Sequence, residues 1–261
     1  LDQARRAGVQ YKITFKYQYI FGTDIAAAIG ANGGGGGGSV VAPDIGTGGS
    51  FTPDDVLGGR VNPVFDGGSL NLNAPGTVGS DFTVRQAGGT VNTGGHDFTL
   101  SGALSGEGAL TKQGEGTLTL TSVNSQNGLN VQGGVVAFNS GGALGAPSGL
   151  VTLGGGGSLQ ALGDASILNP LHLLLGAQGG FNTGGHNIIL SGPITGPGGL
   201  EMRGGGTLTL TGANTFGSLD VQGGTVVFAS QQALGAPGGQ IILGNGAGLV
   251  AGSGMVISQN L

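Results

Sequence analysis

From residue 88 onward the chain is written in short runs of alternating apolar and polar residues, each bounded by glycine or small polar residues. In Thr117-Leu118-Thr119-Leu120-Thr121 the two-residue period puts Leu118 and Leu120 on one face and the threonines on the other, as in a half-buried strand. The same length and β-branched enrichment mark Phe98–Leu100, Ala109–Thr111, Leu129–Val131, Val135–Phe138, Leu150–Leu153 and Leu159–Leu162. No window sustains a helical period, so these runs predict an all-β chain whose leucines point inward.

The runs recur with a constant offset. Asn92-Thr93-Gly94-Gly95-His96 returns as Asn182-Thr183-Gly184-Gly185-His186, and Ala143–Pro147 returns as Ala233–Pro237, each displaced by 182 − 92 = 90 residues without a gap. About half of the positions in 92–167 match those in 182–257, too long a match to be composition in phase by chance. Leu261 falls opposite Leu171, so the register runs to the last residue.

Ninety residues are too many for one supersecondary unit, so each copy holds several turns. A sandwich or a propeller would need bulkier filling than the 5% aromatic content offers. A parallel β-helix instead stacks Leu, Val, Ile and Phe from successive coils, with glycine at the tight corners. At about 20 residues per coil and about 4.8 Å rise per coil, the repeat region predicts a rod of roughly 45 Å.

The segment Gly108-Ala109-Leu110-Thr111-Lys112-Gln113-Gly114-Glu115-Gly116-Thr117-Leu118-Thr119-Leu120-Thr121 resembles the passenger-associated transport repeat of Gram-negative autotransporters. The second copy continues the resemblance through Gly212-Ala213-Asn214-Thr215-Phe216, Gly223-Gly224-Thr225-Val226 and Ala233-Leu234-Gly235. The pattern is broken at Ser125-Gln126, where the first copy lacks the aromatic, and at Met202, where the second lacks the lysine. The resemblance implies a right-handed parallel β-helix (β-solenoid), exported through the outer membrane as a non-catalytic passenger. It further implies adhesion, aggregation or surface display as its service, at the cell surface or outside the cell. The translocating β-barrel of such a polypeptide is missing here, so a passenger fragment is expected.

The N-terminal part reads differently. Tyr11 to Phe21 places Ile13, Phe15, Tyr17, Tyr19 and Phe21 on one face against Lys12, Thr14, Lys16 and Gln18, an amphipathic strand whose aromatic side needs cover. It is expected to cap the solenoid or, alternatively, to pair with a partner or a second copy. The expected organisation is a strand segment over 1–30, a glycine-rich linker over 31–60 containing the Gly33–Gly38 run, and a parallel β-helix over 61–261. That β-helix holds the two copies at about 88–171 and 178–261.

Composition narrows the chemistry. Sixty-three glycines with only 8% charged residues would suit disorder, but 38% hydrophobic residues supply enough apolar surface for a core. The net charge is −5, and four of the eight basic residues (Arg5, Arg6, Lys12, Lys16) lie in the first 16 positions, so nucleic acid is excluded as a partner of the body. Without cysteine there are no disulfides or thiolate metal sites. No signal-peptide pattern opens the chain, consistent with a removed signal or an internal fragment. His96 and His186 share one repeat position and are expected to serve the corner structurally. No catalytic, cofactor-binding or metal-binding residue is expected.

The main alternative is a polysaccharide-binding or polysaccharide-degrading β-helix. It would gather carboxylates by stacking: Asp97 and Glu115, 18 residues apart, with Lys112 as the nearby base partner, while Glu107 faces Pro197 in the second copy. A second alternative is a self-assembling fibre built on unpaired solenoid ends. Surface glycans, proteins or another copy are the partners considered, and no cofactor is called for.

Overall fold

A computed structural model describes residues 44–46, 50–51, 62–176 and 178–252. They all lie in one compact unit of the chain, Val40–Leu261. The aromatic strand expected at Tyr11 to Phe21, the Gly33–Gly38 run and the last residues to Leu261 fall outside the described residues.

Every strand pair among the described residues is parallel, apart from an isolated antiparallel bridge between Gly46 and Gly67. The chain winds as a β-solenoid with three faces. Face 1 begins with Asp44–Gly46, Val64–Asp66, Phe82–Val84 and Leu104–Ser105, and resumes with Ala165–Ile167, Asn187–Leu190, Thr207–Leu210, Thr225–Phe228 and Gly248–Ala251. Face 2 stacks Ser50–Phe51, Ser69–Asn71, Gly89–Asn92, Leu110–Gln113, Gly128–Val131, Leu150–Leu153, Leu171–Leu173 and Ile194–Thr195. Face 3 is unbroken, nine strands from Gly76–Val78 to Gln240–Leu243. Among the described residues the stack already includes Asp44–Gly46, inside the stretch read as linker. Ile45 is the one apolar residue of that first strand and is buried, too short a signal for periodicity to register.

The alternation works as the sequence predicts. Leu118, Leu120, Leu208 and Leu210 are fully buried and the intervening threonines are half-buried. Phenylalanines fill the wider levels: Phe65 stacks on Phe82 with centroids 5.4 Å apart, and Phe138 meets Phe181 edge-on at 6.2 Å. A fully buried side chain of this size contributes roughly 1.5–3 kcal/mol, so the column of Leu, Val and Phe is the main favourable term.

The two copies do not lie over one another. Leu110, Leu129, Val151, Leu171 and Ile194 succeed each other on face 2 over four turns, and Leu200, the counterpart of Leu110, lies one face further on, on face 3. Likewise Thr117–Leu120 is on face 3 and Thr207–Leu210 on face 1. The first copy thus takes up four turns and one face before the second repeats its pattern. Equivalent residues point in directions a third of a revolution apart.

Each copy also interrupts one face. In the first, the 3₁₀ turn Gly141–Leu144 occupies the strand position on face 1, and in the second Gln231–Leu234 does so on face 2. A buried asparagine carries the ladder across the gap. Asn124 accepts from the Leu104 amide at 2.9 Å and donates to the Ala143 carbonyl at 2.7 Å. Asn214 repeats this with Ile194 and Ala233 at 2.8 and 2.7 Å. The side-chain amide supplies one acceptor and donors, as a missing peptide unit would.

Candidate functional site

The corner between faces 2 and 3 in the first copy is a column of glycines. At Gly116 a Cβ would overlap the His96 carbonyl oxygen, and at Gly206 it would overlap that of His186, so neither position accepts a side chain without moving backbone. His96 and His186 close these corners identically, each backbone amide donating to the carbonyl three residues earlier (Thr93 and Thr183) at 2.9 Å. Their rings differ: His186 Nδ1 lies 3.7 Å from Asp164 Oδ1.

Beneath the first of these corners lies Lys112, fully buried. Its Nζ donates to the carbonyl oxygens of Gln113, Gly114 and Gly133 at 3.0, 2.7 and 3.0 Å. Burial pushes its amine from 10.5 down to about 8, with the Glu115 charge opposing. The polysaccharide-active alternative would have Lys112 as the basic partner of Asp97 and Glu115, but Lys112 points inward because its alternation places it with Leu110. Met202, its counterpart, is also fully buried.

The carboxylates are used between turns. Asp97 accepts from the Thr117 amide at 2.9 Å, Asp81 from Ala103 at 2.7 Å and Asp164 from Asn187 at 2.9 Å. The Thr117 amide, and then its hydroxyl, hold Asp97 below the ordinary carboxylate value. Each of these aspartates ties one coil to the next. Among the described residues no three His, Asp or Glu side chains gather as metal ligands.

Among the described residues an open cleft of about 450 Å³ lies at the corner after face 1, lined by Asp66, Thr83, Arg85, Gln86, Gly106 and Glu107 with Val84. Asp66, Arg85 and Glu107 come from three successive turns, and Arg85 Nη1 donates to Asp66 Oδ2 at 3.1 Å. Glu107 is exposed. Sequence reading noted Glu107 only as the counterpart of Pro197. Its neighbours in the cleft are 41 and 22 residues away (107 − 66, 107 − 85), a spacing that becomes visible only once coil lengths of 18 to 23 residues are fixed by the register.

Comparison with known proteins agrees with the repeat. The passenger-associated-transport-repeat family matches residues 110–138 and 200–228, so the chain carries this repeat in two places. Over 70 residues it is 44% identical to an adhesin of Brucella suis biovar 1 (strain 1330), the BmaC autotransporter, a match covering 26% of this chain and 2% of that protein. The chain thus spans a small fraction of that relative's length. No solved structure matches it.

Proposed function

We propose that the chain is a non-catalytic section of a surface-displayed autotransporter passenger. It is exported through the outer membrane by a β-barrel belonging to the same polypeptide. There it acts as an adhesin stalk or aggregation module, holding binding elements away from the cell. The observation that carries this is the pair of passenger-associated transport repeats, stacked as parallel coils in one solenoid. Coils whose contacts are all to the adjacent turn can fold progressively, as a chain emerging through a pore must. In support of a non-enzymatic role, Asp81, Asp97 and Asp164 are engaged with backbone amides of the following coil, and Lys112 is buried.

The test is surface accessibility in a Gram-negative host producing the whole polypeptide that contains this chain. Intact cells should be labelled by an antibody against residues 92–252 and lose the label on external protease treatment. Removing the barrel segment should abolish labelling. Labelling that appears only after lysis would end the proposal, and glycan cleavage lost on Asp or Glu substitution would end its non-catalytic part.

A further inference from the structure

We propose that the cleft formed by Asp66, Arg85, Gln86 and Glu107 is a binding site for a neutral oligosaccharide. This does not depend on the export reading, since it concerns the isolated solenoid.

Gly106 and Gly196 occupy the same place in their copies: both have positive φ, 115° and 107°, and a Cβ on either would strike the carbonyl of the preceding coil, Val84 or Leu173. Gly108 and Gly198 donate to those same two carbonyls, at 3.0 and 3.1 Å. With Val84 thus equivalent to Leu173, Arg85 corresponds to Leu174, Gln86 to Leu175 and Glu107 to Pro197. The strand registers then pair Asp66 with Gly154. The corner therefore folds with or without its polar set. The backbone geometry of the corner does not by itself dictate Asp66, Arg85, Gln86 and Glu107 at these positions.

Charge then selects the ligand class. Along the corner the side chains alternate as carboxylate, guanidinium, carboxylate, with the Gln86 amide and Thr83 hydroxyl beside them. A polyanion such as a sulfated or uronic-acid chain would meet two carboxylates, and a cationic peptide would meet Arg85. Asp66 and Arg85 pair with each other, and a hydroxyl, both donor and acceptor, can add a bond to each of these groups in turn. A row of hydroxyls without net charge is the surface of a neutral sugar chain. The open cleft of about 450 Å³ leaves room for a sugar chain to lie along the corner.

The experiment is titration of the purified 261-residue chain with maltoheptaose, cellopentaose and chitotriose, read by calorimetry and saturation-transfer NMR, with heparin and polylysine as charged controls. The expected result is saturable binding of at least one neutral oligosaccharide, little changed by salt. That binding should weaken by about tenfold or more in the Arg85→Leu, Glu107→Pro double variant, which copies the second module, and in Glu107→Gln. Circular dichroism checks that each variant is folded, and if the double variant is not, Glu107→Gln decides. No saturable binding up to millimolar sugar, binding undiminished in the variants, or binding of the charged polymers alone overturns the proposal.

Discussion

Replacing Lys112 by methionine tests whether the buried amine costs the fold stability at neutral pH. The amine titrates near 10.5 in the unfolded chain and at about 8 in the solenoid. Between those values the unfolded state holds the proton more tightly, so stability rises with pH from about 8 and levels off near 10.5. A lowering of this size corresponds to about 1–3 kcal/mol of stability that is missing at neutral pH. Lys112→Met keeps the volume and follows the second copy, where Met202 lies equally buried. Removing the charge offsets the loss of three carbonyl partners, so at pH 7 the variant is expected within about 1 kcal/mol of wild type. Lys112→Ala, which adds a cavity, should lose about 2–5 kcal/mol. Urea unfolding at several pH values from 7 to 10.5 makes the comparison, with the tyrosines and other lysines common to both proteins cancelling in the difference. Wild type should gain on Lys112→Met by about 1–3 kcal/mol across that range. Parallel pH profiles for the two would refute the argument.

Two further outcomes follow from the copy-to-copy comparison. Gln126 is fully buried where the second copy has Phe216, and its Oε1 has no partner among the described residues, so Gln126→Phe should stabilise by about 1–3 kcal/mol in thermal or urea unfolding, and Phe216→Gln should do the reverse. Deleting residues 110–199 removes one repeat length and brings Leu200–Arg203 onto the place of Leu110–Gln113, so the shortened chain should keep its β-type circular dichroism and protease resistance. A deletion five residues shorter should not.

The solenoid was legible because its information is local and repeated. Leu118, Leu120, Leu208 and Leu210 announce their faces by alternation, and the constant offset of 90 excludes an irregular fold. What the sequence withheld depends on the length of each coil. Lys112 reads as a surface base until its neighbours Leu110 and Leu118 are both placed inside, and its three carbonyl partners come from two different turns. Asn124 and Asn214 read as loop residues because nothing local shows that a 3₁₀ turn has displaced a strand beside them. The cleft is the extreme case: Asp66, Arg85 and Glu107 share no motif, and only the register of three turns assembles them.

The rotation of one copy against the other explains how the inward pattern is kept while outward residues differ between the copies. All three faces offer an inward strand the same environment, a narrow column of Leu, Val, Ile and Phe, so a segment such as Thr-Leu-Thr-Leu packs equally well on face 3 at 117–120 and on face 1 at 207–210. The inward pattern is therefore held fixed by every coil above and below it. Outward positions meet no such constraint, because a side chain at a corner touches mainly its counterparts one coil away. Asp66, Arg85 and Glu107 can thus stand where the corresponding corner at Gly196 has Gly154, Leu174 and Pro197, with the glycine at the corner unchanged. A module that advances by a face with each copy carries whatever it displays to a new side of the stack, so binding groups in one copy are neither shaded nor repeated by the other.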